Sequence, residues 1–212
     1  MSKKLVVLGA GGFAREIAWL VWDINQISNE WEIVGFVEHS AERVGEIANG
    51  IPIIRMEQAT RYLPDIYAVA AIGDPSLKER AVKEAEDSGF KFTTLLHPSV
   101  NKSKSVNVGA GSMICAGNIL TVNITIGKHV ILNLDCTVGH DSVIEDYVTI
   151  SPGCHLSGGT AIRRGAFLGT GVVTIENHEI GAYSKIGAGA VVINDIPEKV
   201  TAIGIPAKPK ST

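Results

Sequence analysis

From Val108 to Val192 the chain repeats a six-residue pattern without a break. Its marked positions are Val108, Ile114, Leu120, Ile126, Leu132, Val138, Ile144, Ile150, Leu156, Ile162, Leu168, Thr174, Ile180, Ile186 and Val192, and only Thr174 is not aliphatic. Two residues before these runs a second register, mostly small or β-branched, that includes Ser112, Cys136, Ser142, Cys154, Thr160, Ala166, Val172, Ser184 and Ala190. Six is not a whole number of 3.6-residue turns, so a helix cannot carry the pattern. Short strands joined by tight corners can, and hexapeptide periodicity is the mark of a parallel β-helix. Three rungs close one turn of 18 residues, giving roughly five turns stacked at about 4.8 Å, with residues 18 apart lying above one another. The aliphatic residue points into the prism and the small one fits beside it. Gly109, Gly127, Gly139, Gly169, Gly181 and Gly187 each follow an aliphatic position, and are expected to supply the positive φ that a corner needs. No rung carries an inserted loop, so function falls to corners and neighbours.

Composition excludes several classes. A formal charge of −3 and a pI near 6.1 give no electrostatic case for a nucleic-acid or anionic-membrane partner. The apolar run Leu5-Val6-Val7-Leu8 is too short for a signal peptide and leads straight into a strand, and no stretch approaches a membrane span. The cysteines Cys115, Cys136 and Cys154 form no C-x-x-C pair, which argues against a zinc cluster. Cys136 and Cys154 lie one turn apart in the inward small register and are expected to be reduced packing residues. The expected compartment is the cytoplasm.

Residues 1–96 read differently, as alternating strands and helices. Leu5–Leu8 is a buried strand running into Gly9-Ala10-Gly11-Gly12-Phe13-Ala14, after which Ala14, Ile17, Ala18, Val21 and Ile24 recur at helical spacing. Ile33–Val37 is a second strand ending at Glu38-His39. Tyr67–Ile72 is a third, ending at Gly73-Asp74. Ser76–Asp87 is an amphipathic helix with Leu77, Ala81, Val82 and Ala85 on one side, and Phe92–Leu95 a last strand. Ligands of such sheets sit at the carboxyl ends of the strands, where Gly11, Gly12, Glu38, His39, Gly73 and Asp74 fall. The glycine run suits a phosphate at a helix N-terminus, although Ala14 replaces the third glycine of G-x-G-x-x-G and such a run also serves simply to close a strand–helix turn. Fewer than a hundred residues build only a mononucleotide half of a Rossmann fold, so a nucleoside diphosphate or nucleotide-linked group fits better than NAD. Glu38 would accept hydrogen bonds from a base or ribose, or stand as a solvated strand-end charge. The remainder, 97–212, forms the second domain. His97, before Pro98, reads as a junction residue, and Asn101–Ser105 as an exposed first rung.

His129, His140, His155 and His178 fall in the repeats at intervals of 11, 15 and 23 residues, a poor match to converging metal ligands; no metal is expected. His140 is the best catalytic candidate. It stands two residues past an inward aliphatic, hence at a corner, and Asp141 follows at once. A carboxylate beside an imidazole holds its tautomer and raises its basicity, as a general base requires. Gly158 comes one turn later, directly above, where a bare glycine leaves space and an open N–H for a thioester oxygen. The alternative is an ordinary exposed corner histidine. His178 takes a small-residue position near the irregular Thr174, and a local distortion is expected there, a ligand-facing role being the alternative.

Val7-Leu8-Gly9-Ala10-Gly11-Gly12, Ala71-Ile72-Gly73-Asp74, Leu96-His97-Pro98, the uninterrupted hexapeptides, Gly139-His140-Asp141 and the tail Gly204-Ile205-Pro206-Ala207-Lys208 occur together. In these the chain resembles the sialic acid O-acetyltransferase and bacillosamine-type nucleotide-aminosugar N-acetyltransferase family. The resemblance implies a small Rossmann-like domain followed by a left-handed parallel β-helix, assembled as a homotrimer. It implies acetyl-CoA as cosubstrate and a nucleotide-linked sugar as acceptor, with transfer to an amino group, or alternatively to a sialic-acid-like or other sugar hydroxyl. A non-catalytic β-helix binding protein is the third reading. By the same resemblance His140 is the general base and Asp141 its partner. Thr149, Gly158, Thr170 and Ala188 line an acetyl-CoA channel between subunits, and Gly11, Gly12, Phe13, Glu38, His39 and Gly73 the nucleotide-sugar pocket. Three departures stand out: Thr149 where members carry histidine, Phe13 for a histidine of the loop, and His39 where some relatives have a second acid.

Overall fold

The computed structural model describes residues 2–38 and 41–210. It divides into two compact units, Met1–Pro98 and Ser99–Thr212.

The first unit is a sheet, parallel except for one antiparallel edge strand, flanked by helices. Strands β1 (Lys3–Leu8), β2 (Trp31–Val37), β3 (Ile47–Ala48), β4 (Ile51–Ile54), β5 (Ile66–Ala70) and β6 (Lys91–Phe92) assemble in the order β3-β4-β2-β1-β5-β6. Central β1 is flanked on both edges, and Leu5, Val6, Val7 and Leu8 are buried, the continuous apolar run that a two-sided parallel strand needs. β5 ends two residues earlier than the expected Ile72. Ala71 N–H still donates to Leu8 O at 2.9 Å, but β1 stops at Leu8 and offers no further partner. The expected strand Phe92–Leu95 is split into Lys91–Phe92 and Leu95–Leu96, because after the Thr93 N–H bond to Ala68 O the chain leaves the sheet edge. The β3–β4 hairpin turns at Asn49-Gly50, both at positive φ (50° and 80°), the asparagine–glycine chemistry of a tight hairpin.

Helix α1 (Gly12–Ser28) buries Ala14, Ile17, Leu20 and Val21, and stops at left-handed Asn29. A short α2 (Met56–Thr60) precedes β5. In α3 (Pro75–Asp87), Asp74 is the N-cap: its carboxylate accepts from Ser76 N (2.9 Å) and Leu77 N (3.0 Å), with Pro75 opening the helix. The buried side carries Ala81, Val82, Ala85 and the aliphatic-stemmed Lys78. Leu77, expected on that side, is 48 % exposed.

The second unit is a parallel β-helix of two-residue strands in three ladders. One ladder runs Met113, Ile131, Thr149, Phe167, Lys185; the second Asn101, Ile119, Thr137, His155, Val173, Val191; the third Asn107, Thr125, Val143, Ala161, Glu179. Every step is 18 residues. The lap then shortens, with Lys185 pairing Thr201 and Ile180 bridging Ile196, so that each of these last steps spans 16 residues. The inward aliphatics from Ile114 to Val192 are essentially sealed from solvent, as are the partner positions Ser112, Cys136, Ser142, Cys154, Ala166, Val172 and Ala190. Thr174 is buried without penalty. Thr160 Oγ1 donates to Ser157 O (2.7 Å), leaving Thr174 Oγ1 to pair with Thr160 Oγ1 (3.1 Å) and to accept from Ser157 N (3.2 Å). The three cysteines are buried free thiols, and for Cys136 the neighbouring Cys154 and burial push the thiol upward, toward its neutral form.

Two expectations are corrected here. Gly109, Gly127, Gly139, Gly169, Gly181 and Gly187 do not take positive φ. The left-handed residue of each corner lies two positions further on, at Gly111, Asn123, His129, Asp135, Asp141, Tyr147 and Asn177 among others. The six glycines meet a steric limit instead: a Cβ on Gly139 would stand 2.5 Å from Gly158 N, and one on Gly109 2.5 Å from Gly127 C. At Gly109, Gly127, Gly139, Gly169 and Gly181 the backbone of the next lap passes within 3 Å of the Cβ position, and at Gly187 the Ile203 side chain stands there at 2.8 Å. The second correction is at His178, where no distortion occurs. Its carbonyl accepts from Ala161 N at 3.0 Å, and Ala161–Glu179 and Ile162–Ile180 keep register. Its ring tips outward, Nδ1 lying 3.1 Å from Asp195 Oδ1.

Candidate functional site

In the second unit, the corner holding His140 and Asp141 follows the strand Thr137–Val138. Asp141 is left-handed (φ 59°), a conformation aspartate and asparagine accept more readily than other side-chain-bearing residues. That backbone turns the carboxylate back onto its neighbour, and Asp141 Oδ2 lies 2.8 Å from His140 Nδ1. The other oxygen, Oδ1, accepts from Asn123 Nδ2 at 3.1 Å. The His140 and Asn123 bonds, in that order, hold the Asp141 carboxyl below the usual carboxylate range. An ionised Asp141 only accepts, so Nδ1 is the donor, and in the neutral ring the lone pair falls on Nε2. The imidazole is 64 % exposed, open to an acceptor.

Gly158 stands against that ring. A Cβ there would come within 2.6 Å of both Nε2 and Cε1 of His140. The space left by the missing side chain is therefore filled by the imidazole itself, not held free for a thioester as the sequence suggested. The Gly158 N–H makes no hydrogen bond among the described residues. Thr170 and Ala188 stack one lap apart on a different corner, both exposed, and their N–H groups likewise make no hydrogen bond among the described residues. Equivalent amides elsewhere are taken by side chains: Lys128 N–H by Asp146 Oδ1, Leu134 N–H by Asn133 Oδ1, Arg164 N–H by Glu145 Oε2. Thr149 is buried on a strand face between Ile131 and Phe167. The second unit thus brings His140, Asp141 and Gly158 together, leaves Thr170 and Ala188 exposed on another corner and holds Thr149 buried away from both.

In the first unit, a cavity of about 580 Å³ opens at the carboxyl ends of β1, β2 and β5. Gly11 and Glu38 line it; Gly12, Phe13 and Gly73 do not, and His39 lies outside the described residues. Gly11 is the N-cap of α1, with no side-chain cap and no acidic residue in the first turn. The first amides of α1 are thus unclaimed by any side chain, the arrangement that accepts an anion. Arg43 Nη1 donates to Ala10 O at 3.0 Å, and Arg15 Nη2 comes within 3.8 Å of the Cβ position of Gly12, so two guanidinium groups flank the loop. Sequence reading missed Met56, Leu77, Arg80 and Glu84 as cavity-lining residues. Helical period sets Leu77 on one side with Ala81, Val82 and Ala85, but it separates two faces without saying which one a ligand covers. His97, the expected junction residue, sits 2.9 Å from Asp23 Oδ2 through Nε2. Among the described residues no group of three histidine, cysteine or acidic side chains could hold a metal, and no helix is long and apolar enough to cross a membrane.

Comparison with known proteins agrees with this architecture. A family model for the PglD N-terminal domain matches residues 4–85. GDP-perosamine N-acetyltransferase of Escherichia coli O157:H7 is 30 % identical over 210 residues, covering 95 % of this chain and 94 % of that protein. A serine acetyltransferase of Haemophilus influenzae is 44 % identical over 80 residues, and the chain spans only 30 % of its length. Among solved structures, a histidine mutant of perosamine N-acetyltransferase from Caulobacter crescentus, in complex with CoA and GDP-perosamine, superposes with a TM-score of 0.90 at 31 % identity, covering 99 % of this chain and 97 % of that one. The acetyltransferase domain of PglB from Neisseria gonorrhoeae, in complex with acetyl coenzyme A, gives 0.89 at 32 %, covering 99 % and 100 %. Similarity of this extent, carried through both units, places the chain in the hexapeptide-repeat nucleotide-aminosugar N-acetyltransferase family.

Proposed function

We propose that the protein transfers the acetyl group of acetyl-CoA to an amino group of a nucleoside-diphosphate-linked sugar, with His140 as general base. The carrying observation is the His140–Asp141 couple at an open corner: Nδ1 faces the carboxylate, which leaves the lone pair of the neutral ring on Nε2, and the side chain is exposed. The diphosphate binds at the uncapped start of α1, between Arg15 and Arg43, and Glu38 takes hydroxyl or base donors. Nε2 removes the proton from the amine as nitrogen attacks the thioester carbon. The tetrahedral oxyanion falls to Gly158 N–H, the unbonded amide beside the ring, and collapse expels CoA as thiolate, which takes up the proton. The exposed amides of Thr170 and Ala188 suit the carbonyls of an extended pantetheine arm. They lie on another corner from His140, and assembly as a homotrimer is the arrangement in which one protomer's corner faces another's. No acyl-enzyme is required, because holding amine and thioester together makes the step effectively unimolecular. The buried cysteines take no part. The compartment proposed is the cytoplasm, where acetyl-CoA and nucleotide sugars coexist.

The test is thiol release from acetyl-CoA against GDP-, UDP-, dTDP- and CMP-linked sugars, with and without a free amine. His140→Ala is expected to lower kcat by about 10²–10⁴-fold with oligomer size unchanged. Full turnover by that variant would refute the assignment. An alkali-labile product would mark an ester, and so transfer to a hydroxyl.

A further inference from the structure

We propose that Asn123 is the positioning residue of the site: from the lap below, it fixes the carboxylate of Asp141 so that Asp141 orients His140. The proposal rests on the reading of His140 as base and goes beyond it to a residue outside the Gly-His-Asp segment. The observation is a column at one corner. Ser105, Asn123, Asp141, Gly159 and Asn177 succeed one another at 18-residue steps, and Asn123, Asp141, Gly159 and Asn177 are all left-handed. Asn123 is held from below, its N–H donating to Ser105 Oγ at 2.8 Å. Its side-chain amide donates upward to Asp141 Oδ1 at 3.1 Å. Asp141 then uses its second oxygen for His140 Nδ1 at 2.8 Å.

Geometry explains why such a support matters. Asp141 is 59 % exposed, so water competes for both of its oxygens, and nothing in its own backbone stops the carboxylate from rotating. One amide donor on Oδ1 leaves Oδ2 facing the imidazole and selects the tautomer whose lone pair is on Nε2. The rest of the surroundings do not substitute for it. Gly159 has no side chain, and Asn177 Oδ1 is packed where a Gly159 Cβ would be. Asp146 and Arg164, on another corner, are engaged with each other at 3.3 Å.

The test uses the whole chain with ¹⁵N-labelled histidine. Asn123→Gly keeps the left-handed backbone and removes the amide. Asn123→Asp keeps the shape, tolerates the same backbone and sets a carboxylate against Asp141. Both are expected to shift the His140 ring-nitrogen signals from one tautomer toward a mixture. In Asn123→Gly kcat should fall by about tenfold, the order of one hydrogen bond to a charged acceptor, with KM for acetyl-CoA within about twofold. In Asn123→Asp the fall should be larger. Unchanged ring-nitrogen signals in both variants, or a kcat within twofold of the parent, would overturn the role of Asn123. The tautomer signal is read without turnover, so it stands apart from the base assignment, which fails separately if His140→Ala keeps full activity.

Discussion

Gly158→Ala isolates the geometric core of the site in one methyl group. Gly158 does not occupy the left-handed region, so alanine introduces no backbone strain. What it introduces is a Cβ 2.6 Å from both Nε2 and Cε1 of His140. Ordinary contacts between such atoms begin near 3.4–3.5 Å, so the ring must retreat by about 0.8 Å. The imidazole is a corner side chain with solvent on its far side, and it yields at little cost in stability, within about 1 kcal/mol. The position proposed for it as base does not survive the move: a displacement near 1 Å of a reacting group costs about 10²-fold. The assay is steady-state thiol release on the variant and on the double variant with His140→Ala. Alone, Gly158→Ala should lower kcat by about 10²-fold while thermal stability holds. Added to His140→Ala, it should cost only what Gly158 contributes through its own N–H, which alanine retains, and hence almost nothing further. A variant with parental kcat, or one whose full loss persists without the imidazole, would refute the placement of the ring over Gly158.

Asp141→Asn should lower kcat by about 10–10²-fold, because a neutral amide no longer fixes the base's tautomer; steady-state rates at saturating substrate check this. The folded-state carboxyl of Asp141 lies below its ordinary value, so its contribution to stability is present above about pH 3.9 and is lost as pH falls through the lowered value. Carbon-13 titration of that carboxyl should show a midpoint below the ordinary one, moving back toward it in His140→Ala. Thr174→Val removes the acceptor of Ser157 N–H and should lower stability by about 1–3 kcal/mol in denaturant unfolding, although valine matches the aliphatic repeat. Asp74→Ala leaves two amides at the start of α3 uncapped and should cost about 0.5–2 kcal/mol, read as a fall in Tm.

The period of six alone fixed the β-helix, since no other regular backbone repeats inward residues from Ile114 to Val192 at that interval. The apolar runs and helical spacing of residues 1–96 likewise sufficed for strands alternating with helices, and Gly139-His140-Asp141 for the candidate couple. Tertiary structure decided the rest. Which corner position is left-handed depends on how laps stack, so the glycines after the aliphatics proved to be spacers and Asp141 the turning residue. Asn123 was invisible because its partner is 18 residues away, a separation that becomes a contact only once the coil closes. Leu77, Arg80 and Glu84 line the cavity because α3 lies over the carboxyl ends of the sheet, and helical period cannot distinguish a face against protein from a face against a ligand. Periodicity reports what is repeated along the chain; a site is built from what the fold brings together once.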